Sequence, residues 1–179
     1  MGPKIKLVFP SNEYLEKLQE FKQDFFDAGM LPINGSHSLN KAEDVAEWIK
    51  ISNDRRNGLN LPEGRVPSSL YLAVTKSDDY IVGIVDIRHD VNDFILKYGG
   101  HIRYSIRPSE RNKGYASKIF RLALEKARTE LNLKKVLVTC LKTNTGLEKV
   151  ILRCGGKFEN EVMNESKHTV FKRYWFYFK

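Results

Sequence analysis

From His101 to Cys140 the apolar period of the chain changes twice, and few architectures accommodate that. His101 to Ile106 has strand character and is closed by Pro108. A helical stripe follows, made of Ala116, Ile119, Phe120, Ala123, Leu124, Ala127 and Leu131, with Ser117, Lys118, Arg121, Glu125 and Arg128 off it. Lys135 to Cys140 is then strand-length and almost wholly apolar, as expected of a buried central strand. A strand, a one-faced helix and a buried strand in immediate succession predict helices packed on a sheet.

The remaining segments fit that frame. Lys4 to Phe9 predicts a first strand, and Asn12 to Gly29 a helix entered through Pro10-Ser11. Asn40, with Glu43 three residues on, predicts the cap of a second helix running through Trp48 and Ile51. Asn57 to Pro67 reads as a loop, and Ser69 to Thr75 with Tyr80 to His89 as a hairpin. Val91 to Tyr98 is a short helical turn closed by Gly99-Gly100. A helix from Asn144 to Arg153 and a strand pair, Phe158 to Val162 and Thr169 to Phe178, complete the order β-α-α-β-β-β-α-β-α-β-β. With 179 residues, no linker and no repeat, the chain reads as a single domain over 1–179.

Several classes are excluded on the residues. No apolar run approaches the ~20 residues of a membrane-spanning helix, and the start lacks the pattern of a secretory signal. Two cysteines, Cys140 and Cys154, make no disulfide framework, and no Cys or His pair has zinc-ligand spacing. A cytoplasmic protein with reduced thiols and no structural metal is expected. The P-loop and dinucleotide glycine patterns are absent, as are Gly-x-Ser-x-Gly, His-Glu-x-x-His and Cys-x-x-Cys. The net charge of +8 is uneven: residues 1–100 are net −3 and residues 101–179 net +11. A basic half is compatible with nucleic acid, an acidic membrane surface or a phosphorylated small molecule.

The chemistry concentrates in Arg111-Asn112-Lys113-Gly114-Tyr115-Ala116-Ser117. Small residues here open an amphipathic helix, so unpartnered amides at the helix start can approach a bulky anion such as a pyrophosphate. The plain alternative is a solvated basic turn in front of a packed helix. This run, lying between a strand that ends in Ile106-Arg107-Pro108 and a long helix, resembles the Arg/Gln-x-x-Gly-x-Gly/Ala signature of the GCN5-related N-acetyltransferase (GNAT) superfamily. The following strand, Asn144 and the helix ending at Gly155 are similar to that family's next motif, and the element order extends the likeness over nearly the whole chain.

The resemblance implies an α/β GNAT-like acyl-CoA N-acyltransferase fold, with a mixed, mainly antiparallel sheet of six to seven strands flanked by about four helices. It implies acetyl-CoA as co-substrate and direct transfer to a small-molecule or peptide amine in a ternary complex. The amides of Arg111, Asn112, Lys113, Gly114, Tyr115 and Ala116, with the Ser117 hydroxyl, would hold the pyrophosphate. Ile106 would pair with the pantetheine arm and aim an N–H at the thioester carbonyl. Asn144 would either bind the cofactor arm or merely cap its helix.

One position departs from the pattern. Counting back from Gly155, the tyrosine with which many relatives protonate the departing thiolate is Ile151. Cys140 could supply that proton, although a buried strand cysteine is more often inert. His101 is the expected general base, against the plainer reading of a strand histidine bonded to its own turn. His89, Asp86, Tyr104 and Tyr174 are weaker candidates for proton transfer. Relatives build the acceptor side from segments that here are Gly29 to Ser38, the loop around Arg65, and Arg173 to Tyr177. Two other readings stand beside the enzyme: an acetyl-CoA-binding sensor without turnover, and a basic nucleic-acid-binding module, which would show steep salt dependence. The enzyme reading expects neither nucleic acid nor membrane as partner, and leaves a homodimer open.

Overall fold

A computed structural model describes residues 2–179. At its centre is a hairpin of β2 (Ser68–Thr75) and β3 (Ile81–Arg88), buried along its whole length. Strands covered on both faces need apolar residues at successive positions, which is why Leu70 to Val74 and Ile81 to Ile87 barely alternate. β1 (Ile5–Val8) pairs with β2, and β4 (Ile102–Ile106) with β3, all antiparallel. Helices α1 (Leu15–Asp27) and α2 (Val45–Arg56) cover one face, where Phe21, Phe25 and Trp48 pack with Leu70, Leu72 and Ile84. Helices α3 (Tyr115–Thr129) and α4 (Thr145–Arg153) lie on the other, where Ile119, Phe120 and Ala123 pack with Tyr71, Val82 and Val85.

The expected fold class is present, with seven strands and four α-helices among the described residues, but the strands form two sheets. β5 (Lys135–Leu141), β6 (Lys157–Asn164) and β7 (Thr169–Tyr177) make a three-stranded antiparallel sheet in the order β5-β7-β6. β5, expected at the centre of a sheet, is an edge strand by pairing, although Val136, Leu137 and Val138 are buried. The two sheets meet at one residue. The His101 amide donates to the Leu137 carbonyl at 2.7 Å, and the Leu137 amide donates to His101 Nδ1 at 2.9 Å. Gly100 permits this approach, because its φ is +68° and a Cβ there would lie 2.8 Å from the Leu137 oxygen. Beyond the joint β4 bonds only to β3 and β5 only to β7, so their facing edges part.

Two helix starts matter. α2 is capped by Asp44, whose carboxylate accepts from the amides of Ala46 and Glu47, and not by Asn40 as the sequence predicts. Asn40 instead accepts from the Ile33 amide within the preceding turn. α3 begins at Gly114, with φ +84° and no side-chain cap. A missing cap costs about 1 kcal/mol. Burying Ile119 and Phe120 completely offsets it, at ~1.5–3 kcal/mol each. The helix is therefore held by its core face while its first amides stay unpartnered.

Candidate active site

The parted edges of β4 and β5 enclose a cleft of about 1040 Å³. Hydrogen bonding in an antiparallel ladder alternates residue by residue. The Arg107 amide donates to Val82, in register with Gly83 opposite Ile106. Ile106 and Tyr104 therefore turn their N–H and C=O groups away from β3, toward the opening. Side chains alternate as well. Tyr104 and Ile106 lie on the α3 face, with Tyr104 edge-on to Phe120, whereas Ser105 lies on the α1–α2 face and donates its hydroxyl to the Asn34 carbonyl. The cleft thus has one mouth on each face of the sheet.

The α3 mouth is built largely from backbone. Arg111, Asn112, Gly114, Tyr115, Ala116 and Ser117 all line it. A Cβ added at Gly114 would meet nothing within 4 Å, so this glycine serves its positive φ and the open space before the helix rather than close packing. Arg111 folds back and donates from Nε to the Ile106 carbonyl at 3.3 Å. The Tyr115 ring is buried in the core, leaving its amide as its contribution here. Lys113 stands apart from the lining, paired with Glu110 at 3.2 Å. Asn144 lines the cleft and caps α4, its Oδ1 accepting from the Leu147 amide, so the cap occupies the oxygen and not the side-chain N–H₂. The two roles expected as alternatives for Asn144 are compatible.

The α1–α2 mouth is built from side chains. Cross-strand pairing sets Asp86 opposite Arg103, and Arg88 follows Asp86 on the same face, toward the joint. Arg88 and Arg103 line the cleft together with Arg65 from the loop before β2. Of the segments expected on the acceptor side, Asn34 and Arg65 reach the cleft, while Arg173 is engaged by Glu159 and the Leu96 carbonyl. Arg88 and Arg103 were not anticipated from sequence. The available signal was a charge ending or interrupting an apolar strand, as in Ile87-Arg88 and Ile102-Arg103-Tyr104.

A family model for the GNAT acetyltransferase domain matches residues 17–157. The chain belongs to the GNAT acetyltransferase family. No curated protein matches the sequence. Solved structures share the fold of this GNAT acetyltransferase at low identity. The Microcin C7 self-immunity acetyltransferase MccE, in complex with acetyl-CoA and AMP, aligns at 17% identity and TM-score 0.71, covering 99% of this chain and 94% of that one. A GNAT-family acetyltransferase from Bacillus anthracis aligns at 15% and 0.67, covering 99% and 97%. Mutant forms of the spermidine/spermine N-acetyltransferase SpeG from Vibrio cholerae align at 16% and 0.65, covering 97% and 93%. GNAT acetyltransferases use acetyl-CoA.

In this GNAT acetyltransferase the groups expected to move protons are placed differently from the sequence expectation. His101 is the joint between the sheets, and the expectation of a general base there is corrected. Its Nδ1 is occupied by the Leu137 amide, which fixes the proton on Nε2, and the ring does not line the cleft. Burial pushes its pKa down to about 4. Ile151 is fully buried in the core against Gly156 and does not reach the cleft. Asp86 accepts from His37 at 3.0 Å, and His89 bonds to the Ser69 hydroxyl at 2.7 Å. Two protonated groups do line the cleft on the α3 face. Burial raises the Tyr104 phenol to about 12 and the Cys140 thiol to about 11. Glu110 is the one carboxylate that lines the cleft among the described residues, and it sits in the turn that precedes α3.

Proposed function

We propose that the chain transfers an acetyl group from acetyl-CoA to an amine by direct attack in a ternary complex, acting through one through-sheet cleft. The observation that carries the reading is the continuity of an unpaired β4 edge with the capless start of α3. The residues fit the donor. The α3 amides suit a diphosphate, and the outward N–H groups of Tyr104 and Ile106, with the Tyr104 C=O, suit an amide-bearing arm. Arg111, Asn112, Gly114, Tyr115, Ala116 and Ser117 would hold the diphosphate, Ile106 the arm, and Asn144 would donate from its side-chain N–H₂. Lys113 contributes charge at the rim.

When bound, acetyl-CoA supplies an activated carbonyl that the amine attacks, with the carbon–sulfur bond breaking. The chain's own part is then positional and electrostatic. The Ile106 N–H points into the opening, where a fixed donor favours charge developing on an oxygen. Tyr104 and Cys140, held neutral by burial, can donate to a departing sulfur in place of the tyrosine that α4 lacks. Among the described residues no histidine lines the cleft, and the amine loses its proton to solvent.

Calorimetric titration with acetyl-CoA, followed by thiol release across a panel of amines, tests this. Binding with amine-dependent thiol release is the expected result. No binding at millimolar acetyl-CoA removes the reading, and binding without release from any amine leaves a sensor.

A further inference from the structure

Resting on that acyl-transfer reading, we propose that the acceptor amine carries an oxyanion, a phosphate or a carboxylate, held by Arg65, Arg88 and Arg103 at the mouth opposite the cradle. The first 100 residues are net acidic, yet at this mouth they supply Arg65 and Arg88 and, just behind them, Arg55 from α2. None of these four arginines has a carboxylate within 4 Å among the described residues. The nearby acid, Asp86, is buried against His37 and offsets only part of the charge of Arg55, Arg88 and Arg103, without an ion-pair contact to any of them. Arg88 spends one N–H on the Gly100 carbonyl, and Arg55 Nε is buried with no partner.

A buried guanidinium is costly unless something answers its charge. Arg88 is only 8% exposed, and burial together with the charge of Arg103 lowers its pKa to about 10. Like charges gathered along one lining of a cleft, with no carboxylate paired to them, suit an anion. The cradle does not account for them, because side-chain alternation sets Arg88 and Arg103 on the face opposite Tyr104, Ile106 and the start of α3. The planar forks suit carboxylate or phosphate oxygens equally, while an acceptor bearing a second cation is repelled.

The test uses four series of primary amines matched in chain length: ω-aminoalkyl phosphates, ω-amino carboxylates, amino alcohols and diamines. Thiol release should favour one or both anionic series over the diamines by about tenfold or more in kcat/KM, and the ratio between the phosphate and carboxylate arms identifies the anion. Arg103→Met and Arg65→Ala should each raise KM for the anionic amine about tenfold, with acetyl-CoA affinity unchanged by calorimetry. Arg65 is exposed on a loop, so its variant tests the site even if the Arg103 variant is unstable. Binding of the amino phosphates and amino carboxylates measured without acetyl-CoA tests the arginines whether or not transfer occurs. Diamines used as well as the anionic amines, or anion binding unmoved in both variants, overturns the proposal. Absence of acetyl-CoA binding, with arginine-dependent anion binding intact, would instead count against the acyl-transfer reading alone.

Discussion

The two mouths of the cleft solve recognition by different means. On the α3 side the donors are main-chain amides, fixed by a helix that its core face anchors and whose start carries no capping side chain. On the α1–α2 side they are guanidinium groups at the ends of long side chains, contributed by β3, β4 and a loop. Main-chain donors are indifferent to most substitutions and serve a ligand that never changes. Side-chain donors can be altered one at a time, so, on the proposed reading, the arginine mouth is where acceptor specificity can be rewritten without disturbing the α3 mouth.

The largest expected effect breaks the backbone-built mouth. Gly114→Val forces a β-branched residue to positive φ and fills the space before the helix, so acetyl-CoA affinity should fall at least a hundredfold, about 2.7 kcal/mol, by calorimetry. The second effect concerns the joint that holds both mouths open. His101 titrates at about 4 in the folded chain against 6.5 when free, so the unfolded state binds the extra proton between those values. Stability should be complete above pH 6.5 and fall by about 3 kcal/mol as pH drops to 4. His101→Asn, whose Oδ1 can replace Nδ1 as acceptor, should flatten that slope in denaturant titrations across the same range. The third is chemical: Tyr104→Phe should lower kcat about tenfold while acetyl-CoA affinity stays constant, and an unchanged kcat would assign the donor role to Cys140. The smallest sharpens the contrast from the other side. Lys113→Ala removes an exposed cation paired with Glu110 and should change acetyl-CoA affinity less than about threefold.

What could be read from sequence divides along the same line. Local periodicity and a glycine-bearing strand-to-helix turn located α3, β5 and the capless start of α3, because their causes lie within a few residues of one another. The cap of α2 was misplaced since Asn40 and Asp44 are both good capping residues four positions apart, and tertiary packing chose between them. The role of His101 depended on what faces it across a gap of 36 residues, and no local pattern reports that Leu137 lies opposite. The arginine mouth was invisible for the same reason, with Arg65, Arg88 and Arg103 converging only after β3 pairs with β4 and the loop before β2 closes over them.

The single-residue seam between the sheets has a dynamic corollary. Two leaves hydrogen-bonded at one point keep separate ladders, yet Phe120 of α3 packs on both Tyr104 of one and Phe176 of the other, so a swing of one leaf works against that shared core. Amide exchange at Leu137, whose donor rests on an imidazole, should then report the swing of one leaf against the other, and a molecule bridging the gap should slow it.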